Sequence, residues 1–305
     1  MSDLITNIKS LELETIKNLG NSKSLNTLRA YQSDYNDFSL FCSKNGFQSM
    51  PTQPKIIALY ITHLSSFSKY STLKRRLASI SIFHKTNGHY IDTKHPIIVE
   101  NLMGIKRTYG SYQKGKKPIL INDLKALIKV IDQSKENIKR KIRDKALLLI
   151  GFSGGFRRSE LVNIEFNDVE FLSEGAKIFV KKSKTDQSGE GMTKAIPYFH
   201  NENFCPVKAL KKWIEIIEFK NDKIFNISDK NVALIIKKYA NQAGLDSRKY
   251  AGHSLRSGFA TSTAESGAEE RNIMAMTGHK STEMVRRYIR EANLFKNNAL
   301  NKIKL

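Results

Sequence analysis

The spacing of apolar residues changes once along this chain, after Arg157, and that change limits the folds open to it. Over residues 1–107 the apolar positions recur in steps of three and four, which places them on one face of each of several amphipathic helices. The first such run is Leu25, Leu28, Tyr31, Tyr35, Phe38 and Phe41. Beyond Arg157, short runs typical of strands appear at residues 164–171, 177–180 and 193–199. A helical first part and a mixed second part are therefore expected.

Two further helices are expected in the first part. One follows Pro54, and the other begins near Ser71 or Thr72, because hydroxyl side chains make good N-caps. In the second part, the expected helices span residues 122–132, 140–152, 206–219, 230–243, 255–266, 269–276 and 281–291.

The charge of the chain indicates its partner. The chain carries 51 Lys and Arg against 29 acidic residues, a net charge of +22, which favours nucleic acid or an anionic membrane surface. No apolar run approaches the roughly 20 residues that span a bilayer, so nucleic acid is the expected partner. The cations expected to contact DNA phosphates are Lys74, Arg75, Arg76, Lys114, Lys116 and Lys117. The first three, on one helix, fit a solvated face equally well.

A polar, basic segment separates the two parts. Residues 108–117 carry glycines and lysines and end at Pro118, which is the composition of a linker. The predicted organisation is a helical domain over residues 1–107, a basic linker over 108–117 and a second domain over 118–305.

Several classes of protein are excluded by what the sequence lacks. Cys42 and Cys205 are isolated, so they predict neither a disulfide framework nor a metal site and suit a reducing cytoplasm. His253 and His279 lack the neighbouring ligands that zinc requires. There is no Gly-x4-Gly-Lys-[Ser/Thr] nucleotide loop and no Gly-x-Ser-x-Gly elbow. We expect no cofactor and no metal.

The residues that bear chemistry occur in one order across residues 155–288. They are the Gly155-Phe156-Arg157-Arg158-Ser159-Glu160-Leu161 segment, a lysine in the turn 183–191, His253-x-x-Arg256, Gly278-His279 and Tyr288. Phosphoryl transfer needs cations around the phosphate oxygens, a nucleophile in line and an acid for the leaving oxygen. Arginine serves the first purpose because it is always charged and donates bidentately to phosphate.

Each of these residues alone has an ordinary interpretation. Arg157 or Arg256 by itself is more often a surface ion pair, and a lone tyrosine in an amphipathic helix is more often part of the core. A free phenol, with a pKa near 10, is also a poor nucleophile unless cations or a base assist it. What points to phosphoryl transfer is that all five segments occur together and in this order, because a chance occurrence of all five is improbable, on the order of one in a thousand.

Residues 118–305 resemble the tyrosine recombinase, or phage integrase, family. The Ser183–Gly191 stretch and the Tyr288-Ile289-Arg290 ending are particularly similar to its Cre-type branch, although His279 stands where Cre-type enzymes can carry tryptophan. The first part is more loosely similar to the family's helical core-binding domain. The resemblance implies a mainly α protein whose catalytic domain adds a small antiparallel sheet, the two domains clamping DNA as a C shape.

The resemblance also implies a role for each residue. Tyr288 would attack the scissile phosphate and form a 3′-phosphotyrosyl link without ATP or metal. Arg157 and Arg256 would clamp the non-bridging oxygens, with His279 adding a hydrogen bond. Lys184 would protonate the leaving 5′-oxygen, and His253 would act as general base or as a hydrogen-bond partner near the nucleophile. Glu160 would hold the residues that contact the phosphate without contacting it itself. The family register selects Arg157 over Arg158, and Lys184 is preferred to Lys181 and Lys182 because it leads a Lys-Thr-Asp segment.

The tail over residues 291–305 bears on assembly. Its apolar residues are Leu294, Phe295, Leu300 and Ile303. In the family such tails dock on a neighbouring protomer, which implies a tetramer on two double-stranded DNA sites in the cytoplasm, bound to the nucleoid. A tail packed on its own domain is the alternative. An accessory directionality factor is a further partner that the resemblance allows.

Three functions fit the same residues. The first is a site-specific recombinase. The second is a type IB topoisomerase-like or telomere-resolving strand transferase, and the third is a DNA-binding accessory protein without activity. The compact size and the tail favour recombination, and the presence of all six polar positions argues against an inactive relic.

Overall fold

The computed structural model describes residues 23–111, 115–181, 183, 189–217, 223–293, 295 and 299–303, together with residues 11 and 14. The chain divides into two compact units, Met1–Lys114 and Gly115–Leu305. The domain limits expected at residues 107 and 118 lie on either side of this division. Within the described residues no helix is both long and apolar enough to cross a membrane.

The described part of the first unit is helical, as predicted. Its helices are α1 (Leu25–Lys44), α2 (Pro54–Ser65), α3 (Tyr70–Thr86) and α4 (Pro96–Tyr109). Helix α1 begins where the Ser24 hydroxyl accepts a hydrogen bond from the Thr27 amide at 3.3 Å. Helix α3 begins at Tyr70, and its N-cap is Lys69 without a side-chain hydrogen bond, so the caps predicted at Ser71 or Thr72 were wrong by two or three residues. Helix α4 continues two residues into the segment expected to be linker.

The core of the first unit lies between α1, α2, α3 and α4. It contains the fully buried side chains of Phe38, Tyr60, Ile61, Leu73 and Ile80. The prediction that Leu25 and Leu28 face inward was wrong, because these side chains are 70% and 38% exposed. The buried stripe of α1 instead runs from Asp34 to Cys42.

The second unit packs further helices and a small sheet around one helix, Ile138–Ser153, whose second half is buried. Its helices are α5 (Ile121–Gln133), α6 (Ile138–Ser153), α7 (Arg158–Val162), α8 (Pro206–Ile216), α9 (Asp229–Gln242), α10 (Ser254–Glu265), α11 (Glu270–Thr277) and α12 (Thr282–Asn293). The continuous apolar run of α6, residues 146–150, is buried on all sides because α8 and α10 pack against it. All of the helices predicted for this part are confirmed, with ends that differ by up to three residues.

Three antiparallel strands form the sheet in the order β1-β2-β3: β1 (Val169–Phe171), β2 (Gly175–Val180) and β3 (Met192–Pro197). Strand β1 is shorter than the predicted 164–171 because a 3-10 turn, Phe166–Asp168, precedes it. The Asp168 carboxylate accepts a hydrogen bond from the Glu165 amide at 3.0 Å and closes this turn. Along β3 the side chains alternate, so that Lys194 and Ile196 face the core.

A close backbone approach fixes α10 against the start of the second unit. The Ile119 amide donates to the Ser254 carbonyl at 2.9 Å, and a Cβ added at Gly258 would lie 1.9 Å from the Ile119 carbonyl oxygen. Only glycine therefore permits this approach.

Replacing Gly258 by alanine is expected to lower the free energy of unfolding by about 1–3 kcal/mol or more, because the backbone must separate. The matched control is Gly104→Ala in α4, where a Cβ meets nothing within 4 Å. That change should stabilise the helix by about 0.5–1 kcal/mol. Thermal and urea unfolding of both variants checks the pair, and equal stability of Gly258→Ala and wild type would contradict the packing described.

Candidate active site

Arg157 stands at the N-terminus of α7, directly after a tight glycine turn. Gly155 has a φ of +54°, and a Cβ there would lie 2.9 Å from the Phe259 ring, so the turn requires glycine. The Glu160 carboxylate accepts from the Arg157 amide at 2.9 Å and from its guanidinium at 2.6 Å. The Ser183 hydroxyl donates to the same carboxylate at 2.8 Å. Glu160 thus holds both the backbone and the side chain of Arg157.

Glu160 is buried and stays charged. Burial alone would raise the pKa of its carboxyl, but the hydrogen bonds from Arg157 and the charges of Lys194 and Arg157 outweigh burial and lower the pKa. The adjacent Arg158 lies 3.7 Å from Asp229 in an ion pair, and its side chain packs against Gly252, next to His253. Of the two neighbouring arginines, Arg157 is the one that donates to Glu160 and to the Gly278 carbonyl.

Arg256 is a fully buried arginine in the first turn of α10. Its Nη1 donates to the Gly155 carbonyl at 2.9 Å. Its Nε and Nη2 are also buried, and neither has a hydrogen-bond partner within the described part of the chain. Burial, followed by the charge of Arg157, lowers its pKa to about 10, which leaves the group charged at neutral pH. A buried cation with two unmatched donors is poised to bind an anion.

The two histidines lie on the same side as the arginines. His253 immediately precedes α10 and is exposed. Loss of water around its ring, followed by the charges of Arg256 and Arg157, lowers its pKa. His279 is half-buried, and burial followed by the same two arginines lowers its pKa to about 4. Both rings are therefore neutral at pH 7. The Thr277 hydroxyl lies 2.7 Å from His279 Nδ1 and fixes the ring.

Tyr288 lies on α12 with its ring packed at the edge of a small apolar cluster. Val285, Ile273 and Ala260 are the buried neighbours in that cluster. The ring centroid of Tyr288 is 6.2 Å from that of His279. Met284, on the same helix, is 47% exposed and lies outside this cluster. The phenol thus belongs to the same cluster as the arginines and histidines.

The lysine predicted for the leaving oxygen, Lys184, lies outside the described residues, as does its neighbour Lys182. Lys181 forms ion pairs with Glu165 and, at 3.0 Å, with Asp168. Sequence analysis missed a second lysine, Lys194, which is fully buried on β3. The sequence could have predicted its burial, because side chains alternate along a strand and Lys194 lies two residues before the apolar Ile196, on the same face.

The cations expected to contact DNA have varied surroundings. Arg75 and Arg76 form ion pairs with Asp34 and Asp37 of α1, and Lys74 is exposed. The sequence suggested either phosphate contact or a solvated face for these arginines, and ion pairing within the first unit is a third arrangement.

Two of the predicted linker lysines fall within the second unit and pair with other residues of it. Lys116 donates to the Arg248 carbonyl at 2.7 Å, and Lys117 lies 3.3 Å from Asp123. Lys114 lies outside the described residues. The DNA contacts of all six cations stay predictions.

The described part of the tail exposes large apolar side chains. Phe295, Leu300 and Ile303 are 86%, 68% and 58% exposed, and Leu294 lies outside the described residues. A mostly apolar groove of about 740 Å³ opens elsewhere on the same unit. Among the residues that line it are Leu124, Phe152, Phe199, Phe204 and Met276.

Among the described residues, no three or more His, Cys, Asp and Glu side chains come together in a way that could hold a metal ion. Cys42 and Cys205 are both buried and free.

Comparison with known proteins identifies the family. The phage integrase family matches residues 119–294, more than half of the chain. An integrase/recombinase xerD homolog of Selenomonas ruminantium is 41% identical over 98% of this chain and 91% of its own length. The chain belongs to the phage integrase family. A tyrosine recombinase XerC of Staphylococcus aureus is a more distant relative, 23% identical over 95% of this chain and 93% of its own.

Solved structures of recombinases share the fold of this phage integrase family member. One is XerH bound to a palindromic difH substrate after cleavage, with a TM-score of 0.69 at 19% identity, over 95% of this chain and 85% of that one. Another is a lambda integrase dimer on a COC′ core site, with a TM-score of 0.59 at 17% identity, over 99% and 81%. The mainly helical fold with a small antiparallel sheet is thereby confirmed.

Proposed function

We propose that this chain recombines DNA at specific sites, with Tyr288 as the nucleophile that cleaves and rejoins the strands. Its membership of the phage integrase family and its recombinase relatives establish a tyrosine-type site-specific recombinase. The residue roles rest on one observation: a fully buried Arg256 with two unmatched donors lies in the same cluster as Arg157, His279 and Tyr288. That cluster suits a single anionic phosphate.

The reaction begins with attack by the Tyr288 oxygen on the scissile phosphorus. A tyrosyl O–P bond forms and the bond from phosphorus to the 5′-oxygen breaks, leaving a 3′-phosphotyrosyl link. The phenol proton passes to His253, which is neutral at pH 7, and Lys184 donates a proton to the leaving 5′-oxygen. Rejoining reverses these transfers with a 5′-hydroxyl from a second strand. The phosphodiester energy is conserved in the covalent link, so we propose that neither ATP nor a metal takes part.

The guanidiniums of Arg157 and Arg256 neutralise the charge that develops on the non-bridging oxygens. Such preorganised donors cost no reorganisation during the reaction and act strongly where water is excluded. His279, held by Thr277, adds a hydrogen bond to the same phosphate. Glu160 keeps Arg157 in place and, as a buried carboxylate, limits the repulsion between the two arginines.

Double-stranded DNA is the proposed partner. The net charge of +22 supports binding to phosphates, and the related structures of XerH and lambda integrase are DNA complexes. We propose that Lys74, Lys114, Lys116 and Lys117 add backbone contacts, and that Arg75 and Arg76 do so in exchange for their acidic partners. The cytoplasm, where the chromosome lies, is the proposed location.

We further propose that the tail of one protomer docks on a second copy, so that four protomers assemble on two DNA sites. The exposed apolar side chains of Phe295, Leu300 and Ile303 match the apolar lining of the 740 Å³ groove in character. Burying them removes apolar surface from water, which is worth about 25 cal/mol per Å².

Tyr288→Phe should bind DNA with wild-type affinity but form no covalent adduct, because it lacks only the attacking oxygen. Nicked duplexes drawn from DNA that flanks the gene serve as substrates, with adducts detected on denaturing gels and located by peptide mass spectrometry. Tyr90→Phe is the matched control, since it makes the same change in the first unit at a side chain that is 87% exposed. An adduct that persists in Tyr288→Phe would refute the assignment.

Phe295→Asp should leave binding and cleavage at a single site unchanged, because the side chain is 86% exposed in the protomer. It should weaken the assembly of two DNA-bound sites by about tenfold or more, since a charge would enter an apolar groove. Sedimentation of the DNA complexes measures this. Unchanged four-protomer complexes would favour a tail that packs on its own domain.

A further inference from the structure

The proposed mechanism leaves one buried cation unused. Lys194 is fully buried on β3, and its Nζ donates to the Gly154 carbonyl at 2.7 Å and to the Met276 carbonyl at 2.5 Å. The same Nζ lies 4.5 Å from the centre of the Phe156 ring, over its face. A buried ammonium is costly unless its donors are matched, so its position here calls for a specific role.

Both carbonyls lie at the C-terminal ends of helices. Gly154 caps α6, and Met276 is in the last turn of α11. Such carbonyls lack partners within their own helix, and the negative ends of both helix dipoles favour a cation beside them. Lysine alone supplies several donors from one compact charge, so Lys194 satisfies two helix ends with a single group.

The residues that follow these helix ends carry the site. After α6, the Gly155 carbonyl accepts from Arg256 at 2.9 Å, and Arg157 lies two residues further on. After α11, the Gly278 carbonyl accepts from Arg157 at 3.4 Å, and His279 follows. The bridge through Lys194 therefore joins the two turns that orient both guanidiniums and one imidazole.

We propose that Lys194 is a positioning residue that ties the end of α6 to the end of α11 and so fixes the phosphate-binding geometry of Arg157, Arg256 and His279. The proposal rests on the function proposed above. Lys194 touches no substrate in this arrangement, because its own side chain is fully buried.

The charge of Lys194 responds to its surroundings. Burial lowers its pKa to about 7, the Glu160 carboxylate opposes this shift, and the charges of Arg256 and Arg157 add to it. His279 is the other titratable group beside it. Since the pKa is lowered, the ammonium is present below about pH 7 and is lost above it. The bridge is therefore strongest on the acidic side, where the hydrogen bonds are charge-assisted.

The experiment compares Lys194→Met, Lys194→Arg and wild type in single-turnover cleavage of a nicked duplex that wild type cleaves. Lys177→Met is the matched control, since it makes the same change on the neighbouring strand at a side chain that is 51% exposed. Gel-shift affinity and thermal unfolding are measured for each protein, and cleavage is followed from pH 6 to 9.

We expect Lys194→Met to bind DNA within about threefold of wild type and to cleave it roughly 10- to 100-fold more slowly, the scale of a misplacement of about 1 Å. Lys194→Arg should recover part of the rate, and Lys177→Met should match wild type. At subsaturating protein, the wild-type rate should fall above about pH 7, whereas that of Lys194→Arg should not, because guanidinium does not titrate there.

Wild-type cleavage by Lys194→Met would overturn the proposal. If that variant does not fold, the pH profiles decide, and parallel profiles of wild type and Lys194→Arg would overturn it. Absence of any adduct with wild type would instead refute the proposed function, and the role of Lys194 with it.

Discussion

The site depends on holding two guanidiniums close together in a buried setting. Like charges repel strongly where water is excluded, and burial, followed by the charge of Arg157, lowers the pKa of Arg256. The buried Glu160 carboxylate and the Gly155 carbonyl offset that repulsion. The offset is incomplete, since two donors of Arg256 stay unmatched within the described residues. In the proposed mechanism the scissile phosphate supplies the missing acceptor and negative charge, so the free energy spent on bringing the cations together favours binding of the anion.

The ends of helices supply most of this geometry. Arg157 precedes α7, His253 precedes α10 and His279 follows α11, so each side chain projects from a point where the backbone leaves a helix. Helix ends carry unpaired backbone groups, and here the carbonyls that follow two helix ends accept directly from Arg256 and Arg157. The glycines at 155 and 258 allow these ends to approach one another. Tyr288 alone projects from the middle of a helix, and the Val285 side of α12 anchors it.

Much of this could be predicted from local patterns. The order of Arg157, His253, Arg256, His279 and Tyr288 indicated the cluster, and periodicity located the helices. Interactions between residues far apart in the sequence could not be predicted. The pairing of Arg75 with Asp34, 41 residues away, and the bridge made by Lys194 depend on tertiary packing. Leu25 and Leu28 are exposed for the same reason. Their spacing places them on one face of α1, but it does not show how much of that face the neighbouring helices cover.

The most direct test of this account removes charge from the phosphate and from the protein together. Arg256→Ala and wild type are compared on a nicked duplex with an ordinary scissile phosphate and on one with a neutral methylphosphonate there. On the phosphate, the variant should cleave about 100-fold more slowly or worse, the scale of losing one charged donor. On the methylphosphonate the deficit should shrink below about tenfold, because the charge that Arg256 neutralises is gone. An equal deficit on both substrates would contradict the account.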